Sequence, residues 1–395
     1  MAGDSISRFF KDLPDSRGAH GKRHRLTDMM AITICAVICG ADGWVEVEDF
    51  GKAQEGWLKS FLALPHGIPS HNTFGRVFAA LDPAAMERCF LAWTAALAKM
   101  SQGQLIAIDG KTLRRSFDRA GGKTALHLVN AWCLTNRLVL GQLATDLKSN
   151  EITAIPKLLE LLELLELRGA IVTIDAIGCQ KDIAAKIIEG GGDYLLQIKA
   201  NQPTLLEEVQ LLFDEAIGHR LGVSSLRSEA SGSRTGSNRC QQMGHARYET
   251  IEKDHGRIET RRLYSTWEVG WFTDRNAWAA LGSFACVEST RQVEGKVSTE
   301  RRYYLSSLDG RDARRMLEAV RGHWSVQNSL HWSLDVTFRE DDCRVRQGHA
   351  AEHLARIRRL VLGLLKRETT FKAGLKRKRM RCALDHDYLL KVLAS

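Results

Sequence analysis

Apolar residues recur with two different periods along the chain, and the period changes near residue 100. Before that point, helical spacing predicts helices over about 29–35, 44–64, 72–81 and 83–99. From residue 103, β-branched runs predict strands at 105–109, 127–134, 139–143, 171–175 and 194–198. Helices are predicted at 154–167, 181–189 and 203–216. This order indicates a mixed α/β sheet whose first three strands form an antiparallel meander.

The later part of the chain is less regular and more basic. Residues 218–308 are rich in Gly, Ser and Arg and contain strand-like pieces at 261–264, 284–288 and 302–305. A long helix is predicted over about 313–334, and residues 366–381 hold eight Lys or Arg and one Glu. These changes predict five regions: a helical N-terminal region at 1–100, the first part of an α/β domain at 101–217, a basic β-rich insertion at 218–308, the last part of the domain at 309–365 and a basic tail at 366–395.

Two predicted strands end in a single carboxylate. Asp109 follows Leu105–Ile108, and Asp175 follows Ala170–Ile174. If the two strands are neighbours, both carboxylates lie at one edge of the sheet, where oxygen ligands hold a hard divalent cation. The alternative is that each Asp simply begins a turn.

The composition indicates an anionic partner and a reducing compartment. The chain has 395 residues and a net charge of +9, and a basic excess of this size favours a nucleic-acid partner. Its nine cysteines form no C-x-x-C pair, so reduced thiols and a cytoplasmic location are expected. No secretory signal or stretch long enough to cross a bilayer is recognised, which predicts no membrane association.

Four segments together carry a family resemblance. They are Ala-Ile-Asp109-Gly-Lys-Thr, Thr-Ile-Asp175-Ala-Ile-Gly-Cys-Gln, His255-Gly-Arg-Ile-Glu-Thr-Arg and His323-Trp-Ser-Val-Gln-Asn-Ser-Leu-His-Trp. In this order they resemble the DDE transposases of bacterial insertion sequences, in particular the H-repeat-associated group. The resemblance covers nearly the whole chain.

The resemblance implies a fold and an activity. The fold would be an RNase H-like mixed sheet flanked by helices, with a β-rich insertion and an all-α N-terminal domain that binds DNA or accompanies the catalytic domain. The activity would be cleavage of insertion-sequence ends and strand transfer into target DNA, with two Mg²⁺ or Mn²⁺ ions on Asp109 and Asp175. The partner would be double-stranded DNA, bound by a homodimer at the bacterial nucleoid.

One position departs from the family pattern. The family's third carboxylate is a Glu in the setting Trp-x-[Ile/Val]-Glu-Asn, and this chain has Gln327 there. Glutamine has the same length but offers only a neutral carbonyl oxygen. Three interpretations stay open: a copy that binds DNA without catalysis, a substitute carboxylate, or a glutamine that suffices beside the two aspartates.

Two substitutes for the missing carboxylate can be named. Asp335 lies eight residues after Gln327 and therefore about 80° around a regular α-helix. Glu151 lies between the third strand and the next helix, where RNase H-like nucleases carry a metal-binding glutamate; it is expected to point toward Asp109 and Asp175. The alternative for Glu151 is a solvent-facing residue favoured by the helix dipole.

Several basic residues are candidates for contact with DNA, with a surface or structural role as the alternative for each. They are Lys111, Arg114, Lys199, Arg257, Arg261, Arg262 and His323. The sequence therefore favours a metal-dependent DNA transposase. The other hypotheses are a relic that only binds DNA and a nuclease of the same fold, which would cleave without joining.

Overall fold

The structure is a computed structural model that describes residues 6, 8–18, 22–98, 103–117, 122, 124–145, 151–163, 167–225, 244–254 and 256–395. His255, part of the third family segment, lies outside the described residues. The chain forms two compact units. The first unit comprises Met1–Ser101, Ile108–Leu165 and Ser325–Ser395, and the second comprises Gln102–Ala107 and Glu166–Trp324.

The N-terminal part of the first unit is helical, as predicted. Its helices are α1 (Leu26–Cys39), α2 (Trp44–Ala53), α3 (Glu55–Leu58), α4 (His71–Ala80) and α5 (Pro83–Leu97). Side chains of Ser70 and Asp82 accept hydrogen bonds from the first-turn amides of α4 and α5. Helix α1 is apolar on all sides and buried along nearly its whole length, so it forms the centre of this unit.

A meander follows, made of β1 (Leu105–Thr112), β2 (His127–Cys133) and β3 (Leu138–Thr145). Strand β1 begins in the second unit and ends in the first, where the strand order is β3-β2-β1. Strands β2 and β3 are antiparallel, and Arg137 adopts a left-handed conformation (φ 54°) in the turn that joins them. Helices α5, α6 (Glu151–Glu163) and α11 (Ala350–Arg367) pack on β3.

Helix α11 carries arginines into the core of the first unit. Arg356 donates to Glu87 at 2.5 Å and to Glu352 at 2.6 Å, and its side chain is 2% exposed. Arg358 donates to the carbonyl oxygen of Asp42 at 2.7 Å. Because Glu87 lies in α5 and Asp42 lies between α1 and α2, the predicted domain at 1–100 shares a buried core of ionic and polar contacts with the C-terminal part of the chain.

The segment predicted as a basic C-terminal tail is folded. It forms α12 (Leu375–Leu384) and α13 (His386–Leu393). Lys378 donates to the carbonyl oxygen of Leu365 at 2.8 Å, and Arg379 donates to that of Val37 at 3.0 Å. These cations stabilise the ends of α11 and α1, because the last carbonyls of a helix have no partner within it. The region predicted as a basic tail is therefore largely helical, and two of its cations are used within the fold.

The second unit holds the start of β1 and six further strands. They are β4 (Ile171–Ile174), β5 (Asp193–Ile198), β6 (His245–Asp254), β7 (Arg257–Thr266), β8 (Ser283–Val293) and β9 (Lys296–Ser306), in the order β1-β4-β5-β9-β8-β7-β6. Strands β4 and β5 are parallel, whereas β5 through β9 to β6 pair antiparallel. Its helices are α7 (Lys181–Glu189), α8 (Pro203–Ser225) and most of α9 (Ala313–Val326).

This arrangement confirms the predicted fold class, an RNase H-like mixed sheet with flanking helices. The sequence expected β structure in the insertion, and β6 to β9 supply it as a continuous antiparallel ladder. Among the described residues, no single helix is both long and apolar enough to span a membrane. Helices α1 and α2 meet that test by length and composition only as a pair, bent by 97°.

Candidate active site

Asp109 follows the buried run of β1, as the sequence predicted, but it does not end the strand, which continues to Thr112. Side chains from Leu105 to Ile108 are buried, and Asp109 is partly exposed. Its Oδ1 accepts a hydrogen bond from the amide of Gly110 at 2.9 Å. Its Oδ2 lies 3.6 Å from Nδ1 of His331. The first unit thus presents a partly exposed carboxylate in the second half of β1 with an imidazole beside it.

Asp175 follows β4 in the second unit and is also partly exposed. Its Oδ1 accepts a hydrogen bond from the amide of Ile177 at 3.1 Å and so caps the short 3₁₀-helix Ala176–Gly178. The side chain of Asn201 donates to the carbonyl oxygen of Ala176 at 2.6 Å and holds the same turn. The turn interpretation is therefore observed for Asp175, and its pairing with Asp109 in a metal site stays a prediction.

The helix that carries Gln327 is interrupted. After α9, residues Gln327–His331 form a π-helix, and α10 (Trp332–Val336) continues from it. A π-helix of this length adds about one residue to the turn, so residues before and after it do not follow one regular helical face. Gln327 is exposed, whereas Leu334, seven residues later in the helix predicted over about 313–334, is fully buried.

The π-helix changes which side chains align. In a regular helix Asp335 would lie about 80° around the axis from Gln327, but one extra residue reduces this offset to about 20°. Two contacts join the end of this helix to β1: His331 lies beside Asp109, and one helical turn later Asp335 accepts a hydrogen bond from Lys111 at 2.6 Å. Residues 109 and 111 of β1 therefore meet residues 331 and 335.

Lys111 has a structural environment and is not a surface cation. It is 8% exposed, and its ammonium lies 2.6 Å from Asp335 and 3.4 Å from Asp341. Burial raises the pKa of the Asp335 carboxyl, and the hydrogen bond from Lys111 opposes that rise. The predicted contact of Lys111 with DNA conflicts with this burial. The role of Asp335 as a third metal ligand stays a prediction. A metal ion would compete with Lys111 for that carboxylate.

Glu151 lies at the start of α6 and is 4% exposed, so the solvent-facing alternative is wrong. Its Oε1 lies 2.5 Å from Nε2 of His127, whose Nδ1 lies 2.8 Å from the hydroxyl of Thr112. A Cβ atom on Gly110 would come within 2.3 Å of Glu151 Oε1. The carboxylate thus packs on the residue next to Asp109, on the opposite face of the strand because side chains alternate. Its role as a metal ligand stays a prediction.

The arginines predicted to bind DNA from the insertion form ion pairs within the sheet. Arg261 lies 2.8 Å from Glu252 of β6 and 2.7 Å from Glu259 of its own strand, β7. Arg262 donates to Glu249 of β6 at 2.5 Å and lowers the pKa of that carboxyl. Arg257 lies 3.9 Å from Glu259 of the same strand. These ion pairs give the arginines a structural role, and their contact with DNA stays a prediction.

His323 and Lys199 lie in the second unit. The Nδ1 of His323 is 3.1 Å from the hydroxyl of Thr173 on β4. Burial lowers the pKa of His323 to about 4, and the charge of Lys199 lowers it further. His323 is therefore neutral at pH 7 and offers no charge to a phosphate. Lys199 is exposed at the end of β5, where it was predicted to be, and its contact with DNA is untested.

The acidic side chains fit a hard cation by chemistry. Magnesium takes carboxylate oxygens and retains several waters, so two aspartates are a sufficient protein contribution. Within the described ranges, no group of three or more His, Cys, Asp or Glu is arranged to hold a metal ion. A cation held by Asp109, Asp175 and the neutral amide of Gln327 therefore stays a prediction.

His331 and Asp341 were not among the site residues predicted from the sequence. A regular helical wheel does not place His331 beside Asp109, because the π-helix that does so leaves no mark in the hydrophobic pattern. Asp341 lies in a polar Glu-Asp-Asp run that is usually a solvated turn. The signal available in the sequence was the spacing of residues 327, 331 and 335, four apart on one helix.

Comparison with known proteins agrees with this geometry. The family model described as "Transposase DDE domain" matches residues 100–364, and "DDE_Tnp_1-associated" matches residues 7–94. The chain is 40% identical over 390 residues to "H repeat-associated putative transposase YhhI" of Escherichia coli (strain K12), covering 97% of this chain and 96% of that protein. It is also 40% identical over 399 residues to "Putative transposase YncI" of Escherichia coli O157:H7, covering 100% and 96% respectively.

A solved structure titled "Cryo-EM structure of piggyBac transposase synaptic complex with hairpin DNA (SNHP)" aligns with a TM-score of 0.43 and 9% identity, over 99% of this chain and 78% of that one. The assignment does not depend on that distant likeness. The family model covers the strands and helices that carry Asp109, Asp175 and Gln327, and two relatives match almost end to end. The chain belongs to the DDE transposase family.

Proposed function

We propose that this protein is a DNA transposase that cleaves the ends of its own element and joins them to target DNA. The observation that carries the proposal is Asp109, a partly exposed carboxylate that follows four buried residues of β1, in a chain of the DDE family. Asp175, which directly follows the buried strand β4, is the second carboxylate of the proposed site. The net charge of +9 suits a DNA partner.

The roles of the residues follow from their chemistry. Asp109 and Asp175 would hold Mg²⁺ or Mn²⁺, two ions in all, and these supply charge stabilisation for the displacement at phosphorus when bound. The imidazole of His331 lies beside Asp109 and, when protonated, competes with a cation for that carboxylate. The Glu151–His127 pair supports the backbone at Gly110 and so fixes where Asp109 points. Two copies of the chain would act together, because paired ends require two active sites.

Gln327 favours a second candidate, a transposase relic that binds DNA without cleaving it. The exposed amide replaces a negative charge with a neutral dipole, so it holds a divalent cation more weakly than glutamate does. Under this alternative the two aspartates are present and the DNA is bound, but the cation needed for chemistry is poorly retained.

A plasmid assay separates these functions. The full-length protein is incubated with Mn²⁺ and a supercoiled plasmid carrying the element's ends, and nicked, linear and joined products are quantified. The transposase predicts joined products that disappear in Asp109→Asn and Asp175→Asn. Asp274→Asn, an exposed partner of Lys181, is the matched control and should retain activity.

Three other outcomes are informative. Binding of the ends without any cleavage supports the relic, and Gln327→Glu should then restore cleavage if that one side chain is limiting. Cleavage without joined products supports a nuclease. Full activity in Asp109→Asn contradicts the proposed site.

A further inference from the structure

Three arginines of the first unit lie close to one acidic turn. Arg114 follows β1 and is 81% exposed, and its Nε lies 3.1 Å from Asp341. Arg115 is 48% exposed and lies 3.6 Å from Asp342. Arg339 is 66% exposed and lies 3.7 Å from the same carboxylate. Three guanidinium groups are thus gathered on the two adjacent carboxylates.

A buried ion pair holds the acidic turn in place. Glu340, the first residue of the 3₁₀-helix Glu340–Asp342, pairs with Arg359, and both side chains are 0% exposed. The contact is bidentate, at 2.7 and 3.3 Å, and Arg359 also donates to Asn130 at 2.6 Å. A buried pair of this kind fixes the backbone, so Asp341 and Asp342 are presented in a defined place.

The opposing arginines are positioned as well. Arg346 donates to the carbonyl oxygen of Arg115 at 3.0 Å, and its guanidinium lies 5.0 Å from the ring centre of Phe117. The loop after β1 is therefore held opposite the turn. Two rigid carboxylates facing exposed arginines reproduce the charge and planar geometry that adjacent phosphates of a DNA strand would present.

We propose that Arg114, Arg115 and Arg339 form a binding site for phosphates of the DNA backbone, and that Asp341 and Asp342 occupy this site when DNA is absent. The inference rests on DNA as the partner in the proposed function. Exposed ion pairs are individually weak, so a polyanion displaces the carboxylates at modest cost. The acidic turn then acts as a competitor that selects against weakly held, non-cognate DNA.

The test measures the affinity of the full-length protein for a fluorescein-labelled duplex without element ends, by anisotropy in the absence of divalent metal. The variant is Asp341→Asn with Asp342→Asn. The matched control is Asp309→Asn with Glu318→Gln, which removes the same charge from two exposed carboxylates of the second unit, paired with Arg311 and Arg314. The first variant should bind about threefold to thirtyfold more tightly than the control.

The same substitutions are then made in an Arg114→Ala, Arg115→Ala background. The gain over the control should fall to less than about twofold, because the acids no longer face the arginines they cover. A gain equal to that of the control, or one that persists in the alanine background, overturns the proposal. Asp342→Asn alone, which leaves the buried contact of Lys111 intact, should show a smaller gain and guards against misfolding of the double variant.

The readout also separates this inference from the transposase activity. Tighter binding by the acidic-turn variant in a protein that never cleaves supports the phosphate site and not the catalytic proposal. Cleavage and joining by a protein whose acidic-turn variant behaves like the control support the catalytic proposal alone.

Discussion

Gly110 is the position where the smallest change should have a measurable effect. A Cβ atom there would lie 2.3 Å from Oε1 of Glu151 and 2.5 Å from Nε2 of His127. Neither Glu151 nor His127 can move freely, because both side chains are buried and hydrogen-bonded to each other. His127 also forms a hydrogen bond with Thr112. Gly110→Ala must therefore displace a buried polar pair or shift β1 at Asp109.

The loss of stability caused by Gly110→Ala can be estimated from the known cost of overpacking a protein core. Inserting one methyl group into a close-packed region costs about 1–3 kcal/mol. Glu151→Ala removes the nearest contact but leaves His127 without its partner, which costs about 1.5–3 kcal/mol. The double variant should cost less than the sum of the two by about 1–2 kcal/mol, since the contact with Glu151 is then absent and the ring of His127 can shift into the space that Glu151 leaves.

The assay is urea unfolding followed by far-UV circular dichroism for the wild type, both single variants and the double variant. Gly56→Ala is the control, because no atom lies within 4 Å of its added Cβ and it is part of α3. That change should be neutral or slightly stabilising. Gly110→Ala within about 0.5 kcal/mol of the wild type, or strict additivity with Glu151→Ala, would refute the packing described around Asp109.

Three further predictions concern buried charge. Glu340→Gln leaves Arg359 buried without its counter-charge and should destabilise the protein by about 3–5 kcal/mol in urea unfolding. Burial, reinforced by the charge of Arg356, lowers the pKa of His353 to about 3, so the unfolded chain binds a proton at a higher pH than the folded protein does. The free energy of unfolding should therefore fall as the pH drops from about 6.5 toward 3, by about 2 kcal/mol at pH 5. His353→Gln should flatten this dependence. Deleting residues 1–102 removes Glu87 and leaves Arg356 buried without that carboxylate. The remaining fragment should therefore not fold, as judged by soluble yield and circular dichroism.

Each of these predictions has a control or a contrary outcome. Glu318→Gln, an exposed partner of Arg314, should change the unfolding free energy by less than about 0.5 kcal/mol. A wild-type stability that is flat between pH 5 and 7 would contradict the neutral, buried His353. A soluble fragment with a cooperative thermal transition would show that the N-terminal helices are separable.

The sequence predicted elements that depend on local signals. Lys181–Glu189 was predicted residue for residue, because a 3.6-residue apolar pattern ends at Gly190. Asp109 and Asp175 were placed directly after buried strand residues from the apolar runs before them. Strand β6 was missed, because none of residues 245–253 is buried and no alternation marks them.

Features that depend on distant contacts were not predictable. A charged sequence such as that of α11 is typical of a surface helix. Arg356 and Arg359 are nevertheless buried, because they form ion pairs with Glu87 and Glu340, which lie on other elements of the fold. The basic stretch near residue 378 was taken for a tail, but its cations stabilise helix ends in the fold. Charge alone therefore does not separate a DNA-binding residue from a structural one.

The π-helix at Gln327–His331 has a consequence for how this part of the chain tolerates insertions and deletions. A regular α-helix that kept every residue of this segment would turn everything after it by about 100° relative to what comes before. His331 and Asp335 would then lose their alignment with Asp109 and Lys111. Deleting one residue there would instead allow a regular helix with the alignment preserved, so this part of the chain should tolerate a one-residue deletion better than a one-residue insertion.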